Sequence, residues 1–205
     1  MEKQSIHIPN ILTLSRLILT LFILVLLSTD FFLSKTAALL IFIIAGMTDY
    51  YDGYLARNVY GVSPFGELMD PLTDKIMVCA TFVSFVELQW VPAWMAVIII
   101  SREFLVTGLR LLALQLGKVI SAGKWGKHKT VWQIVAISAI LLGLAIRNDI
   151  YGNASIEFLA NYDTFFRFIA YGISVSAVII TVVSGAMYLL EHKELLKKNM
   201  RRETL

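Results

Sequence analysis

The sequence predicts an all-α integral membrane protein, a six-transmembrane-helix bundle, and three observations predict it. The 205 residues are 58% hydrophobic and 16% charged, with a mean hydropathy of +0.72, whereas soluble domains are nearer 25% charged. Six apolar segments recur along the chain. A span needs roughly 20 apolar residues, so a chain of this length holds about six and little else. The cations also divide unequally between the two sides that those segments define. This composition excludes a disordered chain. A single cysteine, Cys79, excludes a disulfide framework and a Cys-based zinc site. The net charge of +3 is too mild to imply a nucleic-acid partner, and none is expected.

The elements follow in order. Met1–Asn10 is polar and Arg16 interrupts the apolar run behind it, so no signal-peptide layout is present. Pro9 with Asn10 marks the start of a short N-terminal interfacial helix. It leads into the first span, Ile11–Ser28. The next three apolar segments are Thr36–Met47, Ile76–Val86 and Val91–Ile100, each only about half a bilayer long. Each joins a polar segment without a helix breaker at the junction: Thr48–Arg57, Glu67–Lys75 and Ser101–Gly117 respectively. They read as long helices with one apolar and one polar end, the polar ends facing each other or water. Thr130–Ile146 and Phe168–Leu190 are the fifth and sixth spans. The chain reads as one domain over residues 1–205, with a basic tail over residues 191–205 that suits a surface anchor.

Threading these spans puts all three polar helix ends, both termini and the loop Lys118–Lys129 on one side. Fifteen of the 18 cations fall there, and only Lys35, Arg147 and Arg167 fall on the other. The positive-inside rule makes the cation-rich side cytoplasmic. The expected location is the cell membrane, multi-pass, with both termini and the active site cytoplasmic.

Four aspartates sit where charge is expensive: Asp49 and Asp52 close the second span, and Asp70 and Asp74 open the third. Residues three or four apart share one helix face. The connection between the pairs is short and carries Gly61, Pro64 and Gly66, so four carboxylates can converge at the cytoplasmic edge. Four nearby anions repel, and two divalent cations neutralise them best, because hard metals take carboxylate oxygens. A two-metal site clamps an in-line displacement at phosphorus. Gly53 and Ala56 leave room for a group to approach the backbone, and Arg57 can meet phosphate with its planar fork.

The stretch Asp49-Tyr-Tyr-Asp52-Gly53-Tyr-Leu-Ala56-Arg57, then Gly66, Asp70 and Asp74, fills every fixed position of a known signature at the family spacing. It resembles that of the CDP-alcohol phosphotransferases, a family with six transmembrane helices and cytoplasmic termini. The resemblance implies that Asp49, Asp52, Asp70 and Asp74 hold two Mg²⁺ or Mn²⁺ ions. It implies that Asp74 is also the catalytic base on the acceptor hydroxyl. Gly53, Ala56 and Arg57 would hold the CDP part of the donor, with Ser63 and Gly66 as lesser contributors. The implied reaction is attack of an alcohol on the β-phosphorus of a CDP-lipid with release of CMP. A homodimer is implied as well.

A second polar region informs the acceptor. Arg102 and Arg110 lie about two turns apart and share a helix face. Lys127 and Lys129 enter at the start of the next helix, where the helix N-terminus adds partial positive charge. These cations suit a phosphate on the acceptor. The segments around Arg102–Arg110 and Lys127–Thr130 also resemble the bacterial branch that uses glycerol 3-phosphate. So does Pro9-Asn10-Ile-Leu-Thr13-Leu-Ser-Arg16, which would put Asn10 and Thr13 on the CDP-lipid and Arg16 on the acceptor phosphate. The expected activity is transfer of the phosphatidyl group from CDP-diacylglycerol to sn-glycerol 3-phosphate, giving phosphatidylglycerophosphate and CMP among membrane lipids. Inositol phosphate is an alternative acceptor. A cation-coupled transporter is an alternative of another class, though its site would lie near the midplane and not at one edge. Trp90, Trp94, Trp125 and Trp132 read as interfacial anchors, and Cys79 as packing.

Overall fold

The computed structural model describes residues 8–55, 64–115, 124–152 and 154–192. These residues form six α-helices: α1 (Ile8–Ser28), α2 (Ser34–Leu55), α3 (Pro64–Glu87), α4 (Ala93–Gln115), α5 (Lys124–Ala145) and α6 (Ile156–Glu191). A π-turn over Ile146–Ile150 continues α5, and no strand occurs among the described residues. Two helical stretches, His128–Ile150 and Ile156–Glu191, are long and apolar enough to cross a membrane. Shorter apolar stretches, Leu14–Ser28 and Ser34–Thr48, lie in α1 and α2.

Long helices suit such a sequence because a helix satisfies its own backbone polar groups wherever water is absent. Hydroxyls inside them bond back to their own turns: Thr20 Oγ1 donates to Arg16 O at 2.8 Å and Thr81 Oγ1 to Met77 O at 2.8 Å. α1 packs against α2 and α3, α5 against α2 and α6, and α4 against α3 and α6. Ile23, Phe42, Phe82, Phe85, Met95, Ile137 and Leu141 fill the centre of the bundle. Small residues such as Ala38, Ala45, Ala136, Ala170 and Ala177 let the helices approach. The outer surface is apolar: Leu21, Val97, Phe104 and Phe168 are 60% or more exposed. A belt this greasy suits lipid rather than water.

At one end of the bundle, polar side chains close the helix termini. Lys35 Nζ donates to Leu27 O and Thr29 O, both at 2.6 Å, and lies 3.1 Å from Asp30. It therefore satisfies carbonyls that α1 leaves open at its C-terminus. Asp149 accepts from Thr36 N at 2.8 Å and Thr36 Oγ1 at 2.6 Å at the start of α2. Arg147 grips Asp163 with two bonds, of 2.5 and 2.9 Å.

α3 runs unbroken through Glu67–Lys75, and α2 and α4 continue into their polar segments as far as Leu55 and Gln115, the last residues described there. Pro9 falls in the first turn of α1, which continues without interruption to Ser28. α6 begins at Ile156, well before Phe168. Its early polar residues are paired, Asp163 with Arg147 and Arg167 with Gln89 O, so they continue the helix in place of a loop. Trp90 differs from the anchor reading. It is 6% exposed, with Phe166 at 5.2 Å and the Arg167 guanidinium 4.6 Å over its ring.

Candidate active site

Asp49, Asp52 and Gly53 lie near the end of α2, and Gly66, Asp70 and Asp74 near the start of α3. Both helices pack on α1, which carries Asn10, Thr13 and Arg16. The aspartate-bearing segments thus lie on helices that share α1 as a neighbour. The side chains of Asp49, Asp52, Asp70, Asp74, Asn10, Thr13 and Lys127 fall outside those described, as do Ala56, Arg57 and Ser63 entirely. Arg16 is described and is 1% exposed in α1.

Of the residues expected on the acceptor side, the side chains of Arg102, Arg110 and Lys129 are described. Arg102 Nη2 donates to Ser184 Oγ of α6 at 2.8 Å. Its Nη1 lies 3.4 Å from Glu103 Oε1. Lys129, from the start of α5, donates to that same carboxylate oxygen. Glu103 and Lys129 are each 5% exposed, so this pair sits inside the bundle, where an unpartnered charge is costly. Thr107 Oγ1 donates to Glu103 O at 2.7 Å and accepts from Lys75 Nζ. Lys75 follows Asp74 directly, so this bond ties the carboxylate-bearing start of α3 to α4.

α6 completes the wall. A Cβ at Gly185 would lie 3.0 Å from Arg102 Cγ, so glycine there makes room for the arginine stem. The Arg110 guanidinium stands 5.9 Å from the centroid of the Tyr188 ring, within cation–π range. Arg102 Nε, Arg110 Nε and Tyr188 Oη are buried without a hydrogen-bond partner among the described residues. Buried polar atoms of that kind are normally satisfied. The cations described here are Lys75, on Thr107, Arg110, near the Tyr188 ring, and Arg102 and Lys129, which share the one described carboxylate, Glu103. Among the described side chains the balance is positive, which favours an anion.

Sequence reasoning placed Arg102, Arg110 and Lys129 on the acceptor side, and the structure brings Arg102 and Lys129 onto one carboxylate. It assigned no role to Glu103, Lys75, Thr107, Ser184 or Tyr188. Ser184 and Tyr188 carried a usable signal: two polar residues four apart in an apolar helix share one face.

Residues 6–183 match the model of a family described as CDP-alcohol phosphatidyltransferase. A relative from Bacillus subtilis, a CDP-diacylglycerol–glycerol-3-phosphate 3-phosphatidyltransferase, is 37% identical over 203 residues, covering 93% of this chain and 97% of its own length. A protein of the same name from Haemophilus influenzae is 39% identical over 143 residues, covering 67% of this chain and 77% of its own. One from Rickettsia typhi is 32% identical over 137 residues, with 67% and 77% covered.

Proposed function

The chain belongs to the CDP-alcohol phosphatidyltransferase family, and on that premise we propose that it transfers the phosphatidyl group of CDP-diacylglycerol to sn-glycerol 3-phosphate. The products are phosphatidylglycerophosphate and CMP. The relatives' names support this donor and acceptor, over nearly the whole length of the Bacillus subtilis protein. The observation that supports the acceptor is the cluster between α4, α5 and α6, net positive and with buried, unpaired arginine N–H groups among the described residues. A phosphate oxygen meets those donors with charge-assisted bonds, stronger than those a neutral hydroxyl accepts.

Asp49, Asp52, Asp70 and Asp74 are the proposed holders of two divalent cations, Mg²⁺ or Mn²⁺. Four carboxylates on the ends of two helices packed on α1 form a hard-oxygen donor set that fits such ions. Bound there, the ions would neutralise the donor pyrophosphate and the departing CMP. Gly53, Ala56, Arg57, Ser63, Gly66, Asn10 and Thr13 hold the CDP-lipid in this reading. Arg102, Arg110, Lys127, Lys129 and Arg16 hold the acceptor phosphate. Glu103 fixes Arg102 and Lys129 so that the acceptor hydroxyl faces the β-phosphorus. Asp74 takes the proton from that hydroxyl as the new P–O bond forms and the bond to CMP breaks.

The same reading makes the bundle a six-span protein of the cell membrane. Its first turns lie at the interface, its site and termini face the cytoplasm, and it works as a homodimer. A lipid donor then enters sideways and a soluble acceptor enters from the water. The test is CMP release by purified protein given CDP-diacylglycerol, a divalent cation, and glycerol 3-phosphate or inositol phosphate separately. Release with glycerol 3-phosphate, abolished by EDTA and restored by Mg²⁺ or Mn²⁺, is expected. Release with inositol phosphate alone overturns the acceptor. Release undiminished in EDTA overturns the metal site.

A further inference from the structure

Tyr188 is 6% exposed, and its hydroxyl has no hydrogen-bond partner among the described residues. A phenol buried in apolar surroundings normally finds one, and leaving it bare costs free energy that phenylalanine at the same place would avoid. The neighbours say what is missing. Tyr188 follows Ser184 by one turn of α6, and Ser184 holds Arg102 at 2.8 Å. Arg110 stands 5.9 Å from the Tyr188 ring. Arg102 and Arg110 each contribute a further buried N–H without a partner among the described residues. Three unmet polar groups on facing helices α4 and α6 therefore border one region, and each can donate a hydrogen bond.

We propose that the Tyr188 hydroxyl is a binding residue for the soluble substrate, donating a hydrogen bond to the phosphate that Arg102 and Arg110 hold. The assignment rests on the reading of this chain as an enzyme with a phosphorylated acceptor, and it adds a contact from α6. The arginines supply charge from one wall, and the phenol fixes orientation from the other. A tilted ring contact with His192, at 4.5 Å between centroids, and burial hold the phenol in place.

Tyr188→Phe removes one oxygen and keeps the packing. CMP release is measured with glycerol 3-phosphate varied at saturating CDP-diacylglycerol, and then the reverse. The expected result is a KM for glycerol 3-phosphate raised about tenfold, the scale of one hydrogen bond to a charged group. KM for CDP-diacylglycerol stays within twofold. Unchanged KM for glycerol 3-phosphate, or an equal rise for both substrates, overturns the assignment. A second measurement does not depend on turnover: thermal unfolding of both proteins against inorganic phosphate. Wild type is expected to be stabilised, with about tenfold more phosphate needed for Tyr188→Phe. No stabilisation of wild type, or an identical response of the two, also overturns it. Wild-type protein that binds phosphate but releases no CMP with glycerol 3-phosphate sinks the reading of the reaction and leaves the Tyr188 contact supported.

Discussion

At the scale of single residues, the site divides into groups legible in the sequence and groups that only the fold reveals. The proposed aspartate set comes from the sequence alone, because its spacing is local: i, i+3 and i, i+4 pairs in apolar helices have few structural uses. Glu103 was not legible there, since beside Arg102 in sequence it reads as one more surface charge. Only tertiary packing brings Lys129 onto it from another helix. Two predictions separate these roles. Asp74→Asn should lower turnover by about 10²- to 10⁴-fold, the range of general-base catalysis, with circular dichroism and melting temperature unchanged. Normal turnover in that variant would remove Asp74 from the mechanism. Glu103→Ala should destabilise the protein by about 3–5 kcal/mol, because it leaves the buried Lys129 ammonium without its counter-charge. Glu103→Gln keeps an acceptor oxygen and should cost less. A thermal-melt comparison of the two variants checks the order, and equal costs would show that the charge itself is unimportant.

At the scale of elements, helix identity followed from hydropathy and helix ends did not. α2, α3 and α4 were expected to carry polar ends, and they do. The early turns of α6 were missed because Asp163 and Arg167 look like loop residues until their partners Arg147 and Gln89 are seen. The α5–α6 contact depends on a glycine. A Cβ on Gly143 would fall 1.7 Å from Phe166 Cζ, an overlap that requires the ring to move. Gly143→Ala should therefore cost about 1–3 kcal/mol. Phe166→Leu should recover part of that in the double variant, a coupling that a double-mutant cycle in detergent measures. Strict additivity of the two substitutions would contradict the contact. Lys35 caps α1 in the same concrete sense. Lys35→Met keeps the stem but exposes Leu27 O and Thr29 O, and should cost about 2 kcal/mol. Activity at low temperature should persist, since Lys35 sits at the opposite end of the bundle from Glu103. A melting temperature equal to wild type would mean that water replaces the ammonium at no cost.

At the scale of the whole molecule, the cation asymmetry gains meaning from what the three exceptions do. Lys35 is spent on carbonyls and Asp30, Arg147 on Asp163, and Arg167 on Gln89 O and the Trp90 ring. Each has a local packing reason to stand where it does. The fifteen others fall on one side only in the threading expected from the sequence, and the positive-inside rule makes that side the proposed cytoplasmic one. A concrete topology test follows. With Cys79→Ser as background, the chain has no other cysteine, and single reporters can be placed at Asn153, three residues before α6 in the sequence, and at Lys197, in the basic C-terminal sequence. A membrane-impermeant maleimide should label Asn153→Cys in intact spheroplasts. It should label Lys197→Cys only after the membrane is opened. The reversed pattern would put the carboxylates and the basic wall outside the cell, away from cytoplasmic glycerol 3-phosphate, and would overturn the proposed reaction together with the topology. Labelling of both sites in intact cells would instead break the six-span threading while leaving the packing of α4 on α6 untouched. The two failures are therefore distinguishable in one experiment.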